Sequence, residues 1–292
     1  MLTEKHVNEK AENIGSRGCA LLLGGFDGLH KGHETLLSAA KKTGLPIAAI
    51  TIEGGKGAPL YVGKERDEIF FRHGVDFVYP LEFSAIRNIS AEAFAAAVKE
   101  EISPACCFCG EDFRFGAGGK ADGAYFGRYT GVPVHVLPLL KDEKTGEKIG
   151  AEKIKALLGE GKAEEANALL CDDFFLSGAV VKDRGIGREI GFPTANIFYP
   201  QGKFRLKNAV YETRAAIDGK EYKGITNFGS RPTFGNDTVV TETYFLGYSG
   251  NLYGKTLSIR FVRFLRDIKK FADAKALQSQ LEYDKRRVQS GD

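Results

Sequence analysis

Cys19-Ala20-Leu21-Leu22-Leu23-Gly24-Gly25-Phe26-Asp27-Gly28-Leu29-His30-Lys31-Gly32-His33 is an apolar run, a glycine-rich turn and the opening of a helical pattern in direct succession. An uninterrupted apolar run of this length, bounded by glycines, reads as a strand buried on both faces. Residues 47–52 read the same way, and 106–109 and 132–137 are further short runs. Between them, residues 34–42, 64–72 and 91–99 carry apolar side chains at three- and four-residue spacing. Strand, helix, strand in repetition needs crossover helices and therefore parallel pairing. Residues 1–171 are expected to form a doubly wound α/β domain.

After Cys171 the period changes. Tyr211, Thr213, Ala215 and Ile217 alternate with Glu212 and Arg214, and Leu257, Ile259 and Phe261 alternate with Ser258 and Arg260. That is the pattern of strands with one buried face. Turn signals at Asp218-Gly219, Gly235-Asn236-Asp237 and Ser249-Gly250-Asn251 separate such runs at short intervals. Residues 172–292 are expected to be an antiparallel barrel or sandwich, closing with a helix capped by Asp273 that presents Leu277, Leu281 and Val288.

The chain has 292 residues, is 43% hydrophobic and carries a net charge of +3. That is length for two cores and leaves disordered and fibrous classes aside. No apolar run is long enough for a spanning helix, and the charged start, Thr3-Glu4-Lys5-His6, lacks the apolar region of a signal peptide. A cytoplasmic protein without a membrane partner is expected. Five cysteines, three of them in Cys106-Cys107-Phe108-Cys109, do not make a disulfide framework or a tetrahedral metal set, and read as buried strand thiols. From Asp172 onward there are 20 basic against 14 acidic residues, with 21 against 24 before it. This excess suits a phosphorylated ligand and is too dispersed for a nucleic-acid footprint, so no nucleic-acid partner is expected. Lys285-Arg286-Arg287 reads as the solvated face of the last helix.

Two stretches carry chemistry. In the first, glycines permit close backbone approach and a helix N-terminus offers free N–H groups, which suits phosphate. His30 and His33 are spaced to reach one ligand. Adenylyl transfer needs charge stabilised on an α-phosphate and on departing pyrophosphate, which imidazole donors and a metal ion can supply. A lone histidine is usually structural, but two at this spacing after a buried strand point to a nucleotide site. The second stretch runs from Gly178 through Lys182, Gly187 and Arg188 to Gly191-Phe192-Pro193-Thr194-Ala195-Asn196. Thr194 and Asn196 place a hydroxyl and an amide oxygen on one side of an extended backbone, as hard-cation ligands would be. Composition alone favours a polar turn here, and pattern alone favours a solvent-facing strand residue at Glu242.

The sequence resembles the prokaryotic bifunctional riboflavin kinase/FMN adenylyltransferase (FAD synthetase) family over nearly its whole length. The first box matches Gly24 to His33, and Gly110-Glu111-Asp112-Phe113-Arg114-Phe115-Gly116 is similar to the second. Pro193-Thr194-Ala195-Asn196, Asn227-Phe228-Gly229-Ser230-Arg231-Pro232-Thr233, Leu252-Tyr253-Gly254-Lys255 and Leu265-Arg266-Asp267 match later boxes in order. The resemblance implies a nucleotidyltransferase-like Rossmann domain followed by a riboflavin kinase β-barrel, with riboflavin, FMN, FAD and ATP as substrates or products and Mg²⁺ as cofactor. It implies Glu242 as the catalytic carboxylate and Thr194 and Asn196 as ligands of Mg²⁺-ATP. Gly178, Lys182, Gly187 and Arg188 fall on the nucleotide side and Arg266 on the flavin side. In the first domain it implies Gly24, Phe26, Asp27, Gly28, His30 and His33 at the nucleotide, and Asp112 at the flavin or nucleotide.

The chain departs from the family at two boxes. Ile52-Glu53-Gly54-Gly55-Lys56-Gly57 stands where the family usually has Phe-x-Pro-His-Pro, and Gly150-Ala151-Glu152-Lys153-Ile154-Lys155 where it has Ser-Ser-Thr-x-Ile-Arg. Glycine and alanine remove phosphate-binding hydroxyls, Glu152 adds a like charge, and Lys155 keeps a charge without the guanidinium fork. Asp183 and Ala209 also stand where the family commonly has glycine. Two enzyme readings stay open: a bifunctional enzyme, or a monofunctional riboflavin kinase whose first domain binds, regulates or supports. A non-enzymatic flavin-binding protein would leave Glu242 idle.

Overall fold

A computed structural model describes residues 5–9, 11, 17–55, 57–182, 191–230 and 239–291. The chain divides into two compact units, Met1–Glu152 and Lys153–Asp292. The second thus begins ahead of the Asp172 expected from the change of period. A short helix, Ala163–Asn167, belongs to it: Asn167 donates to the carbonyl of Phe261 and accepts from the amide of Phe174.

In the first unit, β1 (His6–Val7), β2 (Cys19–Leu23), β3 (Ile47–Glu53), β4 (Phe77–Glu82), β5 (Pro104–Gly110) and β6 (Val134–Leu137) form a sheet in the order β1-β4-β3-β2-β5-β6. All neighbours are parallel except β1, which pairs antiparallel with β4. The doubly wound expectation holds. Every residue of β2 is buried, as its uniform apolar run requires. β4 escapes the periodicity because Pro80 interrupts it. Proline is tolerated there because β1 pairs only with Phe77 and Val78, leaving that side of Pro80 unpaired. The helix Gly123–Thr130 is equally hidden, its two glycines lowering helix propensity. A Cβ on Gly123 would lie 2.6 Å from Cys109 Sγ, so close helix-to-sheet approach accounts for that glycine.

Cys19, Cys106, Cys107 and Cys109 are buried free thiols, as expected. Burial pushes Cys19 up to about 12 and Cys109 up to about 11, so neither is a reactive thiolate. No cluster of three or more His, Cys, Asp and Glu side chains that could hold a metal ion occurs among the described residues, and no described helix is long and apolar enough to cross a membrane.

The second unit is a six-stranded sheet of β7 (Phe175–Ala179), β8 (Thr194–Phe198), β9 (Ala209–Ile217), β10 (Lys220–Ser230), β11 (Val239–Phe245) and β12 (Thr256–Arg266), in the order β7-β12-β9-β10-β11-β8. Every pairing is antiparallel, and a bridge from Val181 to Asn196 brings the two edges together, so the sheet is a nearly closed barrel. Phe261 packs edge-on against Tyr211 and Phe228 inside it, and the buried hydroxyls of Thr213, Thr226 and Thr243 form a hydrogen-bonded chain across three strands.

One expectation fails on the outer face. Glu212 alternates outward but is not solvent-exposed: it is buried and paired with Arg263 at 2.7 Å. The cause is the C-terminal helix, Ala274–Ser290, whose Val288 packs with Val210, Ile225 and Leu265 and covers that face. Asp273 caps the helix through the amide of Ala276. Arg263 and Lys223 donate to the carbonyls of Arg287 and Val288, so cations satisfy the negative end of its dipole. Arg287 is also less solvated than its basic run suggests, donating to the carbonyl of Leu265. Asp284, fully buried, binds Arg266 through both carboxylate oxygens. Asp284→Ala would strand that guanidinium, and we expect a loss of about 3–5 kcal/mol in urea unfolding of the second unit.

Candidate active sites

The order β3-β2-β5 defines a topological switch point. The chain moves from β2 toward β3 and β4 on one side and returns to β5 and β6 on the other. Ligands of open α/β sheets bind outside the carboxyl ends of the strands at such a point. Gly24 to His33 follow β2, and Gly110 ends β5 with Glu111 and Asp112 after it.

His30 is the N-cap of the helix Lys31–Lys41, and its Nδ1 accepts the amide N–H of His33 at 3.3 Å. Its neutral proton is therefore on Nε2, which donates. His33 has the other tautomer: its Nδ1–H donates to the carbonyl of Gly28 at 3.1 Å, leaving the Nε2 lone pair free to accept. The two rings stack at 3.6 Å. Burial, reinforced by the Lys148 ammonium, lowers His30 to about 4. Burial and the neighbouring His30 hold His33 well below the usual imidazole value. Both are neutral at pH 7.

Asp112 forms an ion pair with Lys148. Both charges act on His30, so the two boxes are brought together. The segment that lacks the family's hydroxyls lies nearby: a Cβ on Gly32 would be 3.3 Å from the Ile149 carbonyl oxygen and 3.1 Å from the His30 ring. Asp27 accepts the Leu60 amide at 2.6 Å, tying the turn to the loop ahead of the helix Lys64–Arg72. Gly28 has φ of 79° and approaches the Tyr61 ring, two reasons for glycine there.

In the second unit, register decides the geometry. Glu242 on β11 stands directly opposite Asn196 on β8 and Asn227 on β10. Opposed residues of antiparallel strands share a face at a Cα separation of about 4.5–5.5 Å. Asn196, Glu242 and Asn227 form one row, with Thr194 two residues along on the same face. Asn227 Nδ2 donates to Glu242 Oε2 at 3.3 Å. Asn196 is 4% exposed, and its Oδ1 has no hydrogen-bond partner among the described residues. A buried unpaired amide oxygen costs about 1–3 kcal/mol unless a ligand takes it up.

The remaining expected residues are less uniform. Lys182 reaches over the Tyr253 ring at 5.8 Å. Gly178 has a packing reason, since a Cβ there would be 2.5 Å from Ile197 Cγ2. Arg266 is held by Asp284 and faces Phe271. Gly187, Arg188, Asp183 and the stretch 231–233 lie outside the described residues.

The FAD synthetase family profile matches residues 13–150 and the riboflavin kinase profile residues 170–290. A bifunctional riboflavin kinase/FMN adenylyltransferase from Mycoplasma pneumoniae is 32% identical, over 92% of this chain and 96% of its own. The chain belongs to this bifunctional family. A second member, from Listeria monocytogenes, is 28% identical over 90% of this chain and 89% of its own. A crystal structure described as a macrolide-efflux protein from Streptococcus pneumoniae superposes with a TM-score of 0.84 at 26% identity, covering 97% of both chains.

Two residues of this family member went unassigned in the sequence reading. Asn227 lay inside a quoted box, and what singles it out is its register opposite Glu242, which nothing in its own stretch of sequence encodes; the turn signal at 235–237 lies outside the described residues. Lys148 had no local signal either. Its approach to Asp112 depends on how residues 138–150 return to the sheet, which no periodicity encodes.

Proposed function

We propose that the second unit transfers the γ-phosphoryl group of ATP to the 5′-hydroxyl of riboflavin, giving FMN and ADP. The first unit then joins FMN to the adenylyl group of another ATP, giving FAD and pyrophosphate. The observation that carries the kinase reading is the in-register row of Asn196, Glu242 and Asn227 with Thr194 beside it. Glu242 is positioned to take the proton of the attacking hydroxyl, while Asn227 restrains its second oxygen. The orphaned Asn196 Oδ1 and the Thr194 hydroxyl are hard oxygen donors on one face, and they fit Mg²⁺. Held there with ATP, Mg²⁺ would supply positive charge to offset the negative charge of the transferring phosphate. Lys182 adds a cation on the nucleotide side, where the family resemblance also assigns Gly178, Gly187 and Arg188. Arg266 supports the flavin side by holding the C-terminal helix through Asp284.

In the first unit, an FMN phosphate oxygen attacks the α-phosphorus of ATP as the bond to the departing pyrophosphate breaks. His30 Nε2–H faces the developing charge as a neutral donor, and Lys148 contributes positive charge at the same edge. That ammonium bears on the bifunctional reading, because residues 150–152 offer no hydroxyl. Free buried thiols and small phosphorylated substrates fit a cytoplasmic enzyme.

Incubating the protein with riboflavin, ATP and Mg²⁺ and resolving the flavins by chromatography tests both halves. FMN should form first and FAD after it. Absence of FMN rejects the kinase reading. FMN without FAD, even from supplied FMN at high enzyme concentration, makes the first unit a binding or structural module.

A further inference from the structure

Three non-glycine residues have positive φ among those described: Ser103, Asp218 and Phe26. Ser103 ends a helix and Asp218 sits in a hairpin turn, both small polar residues suited to the left-handed region. Phe26, at φ 42°, is neither small nor polar, and its conformation is strained.

Its surroundings account for the strain. The ring is 2% exposed and lies 4.4 Å from the His33 ring, with Phe70 edge-on behind it at 5.9 Å. Gly24 leaves the space, since a Cβ there would be 2.8 Å from the Phe26 ring. Two residues on, the same turn supplies the Gly28 carbonyl that fixes the His33 tautomer. His33 is thus held by an aromatic wall on one side, the stacked His30 on another and a hydrogen bond at Nδ1. The Phe26 ring is taken up by His33 and Phe70.

We infer that Phe26 is a positioning residue: the strained turn presses its ring against His33 and so fixes the ring on which His30 stacks, holding the His30 Nε2–H toward the reacting phosphate. This rests on reading the first unit as an adenylyltransferase. The test uses the full chain with Phe26→Leu, which keeps apolar bulk, and Phe26→Gly, which relieves the strained φ and preserves the turn.

Both variants should lose about 10- to 100-fold in kcat for FAD formation, with KM for ATP within about twofold of the parent. Riboflavin phosphorylation should be unchanged, which verifies intact protein. The His33 Hε1 proton resonance, assigned through His33→Gln, should shift in both variants as the ring current of Phe26 is lost. An unmoved resonance overturns the inference, as does a loss carried by KM for ATP alone, which would make the ring a substrate contact. If the parent forms no FAD, the adenylyltransferase reading fails, and the resonance still decides whether Phe26 clamps His33.

Discussion

Glu242→Gln should lower FMN formation by about 10²- to 10⁴-fold while leaving FAD formation from supplied FMN unchanged. The side chain keeps its length and can still accept the Asn227 amide through its remaining oxygen, so the row across β8, β11 and β10 survives. The flanking Thr241 and Thr243 point into the barrel and hold β11 independently of Glu242, through the Ile197 carbonyl and the Thr226 hydroxyl. What the amide cannot do is take a proton. KM values near the parent's with a collapsed kcat are therefore expected in a coupled ADP assay. Turnover within tenfold of the parent would remove Glu242 from the reaction and return it to a solvent-facing strand residue.

Part of this row was legible beforehand because strands encode space, whereas Glu242 rested on the family resemblance and Asn227 went unassigned. A period of two makes Thr194 and Asn196 co-facial. The same reasoning explains β2, whose unbroken apolar run has no alternative to burial. Legibility ended where a residue answers to a distant element. Glu212 reads as outward and is outward, but nothing near it in sequence says that the C-terminal helix covers it. Asp284 lies within the stripe that carries Leu277, Leu281 and Val288, a position a hydrophobic pattern forbids, and Arg266 together with the Gln280 amide makes it tolerable. Pro80 hid β4 for a local reason and was admitted for a tertiary one, the absence of a β1 partner beyond Val78. In the first site the histidine spacing was visible, whereas the tautomers were not. They follow from the Gly28 carbonyl and the His33 amide, groups every residue possesses.

His30→Asn should reduce FAD formation by about 10²- to 10³-fold, the effect of losing one donor aimed at developing charge. Asparagine is a favoured N-cap, so the amide of His33 keeps an acceptor and the helix Lys31–Lys41 keeps its start. The variant therefore separates catalysis from capping. It also changes the response to acid, and the sign follows from the two states. His30 titrates near 4 when folded and near 6.5 when unfolded. Between those values the unfolded chain binds the extra proton, so stability is full above about 6.5, falls as pH is lowered, and levels off below about 4. For a residue only 5% exposed the loss is on the order of 3 kcal/mol. Urea unfolding of the parent at pH 7 and pH 4.5 should show this decline, and His30→Asn should show a smaller one, because carboxylates common to both proteins cancel in the comparison. Equal declines would mean that His30 is protonated in the folded state as readily as in the unfolded one. The imidazole would then be partly protonated near neutral pH, and its action in FAD synthesis would not be confined to the neutral donor its buried, stacked position dictates.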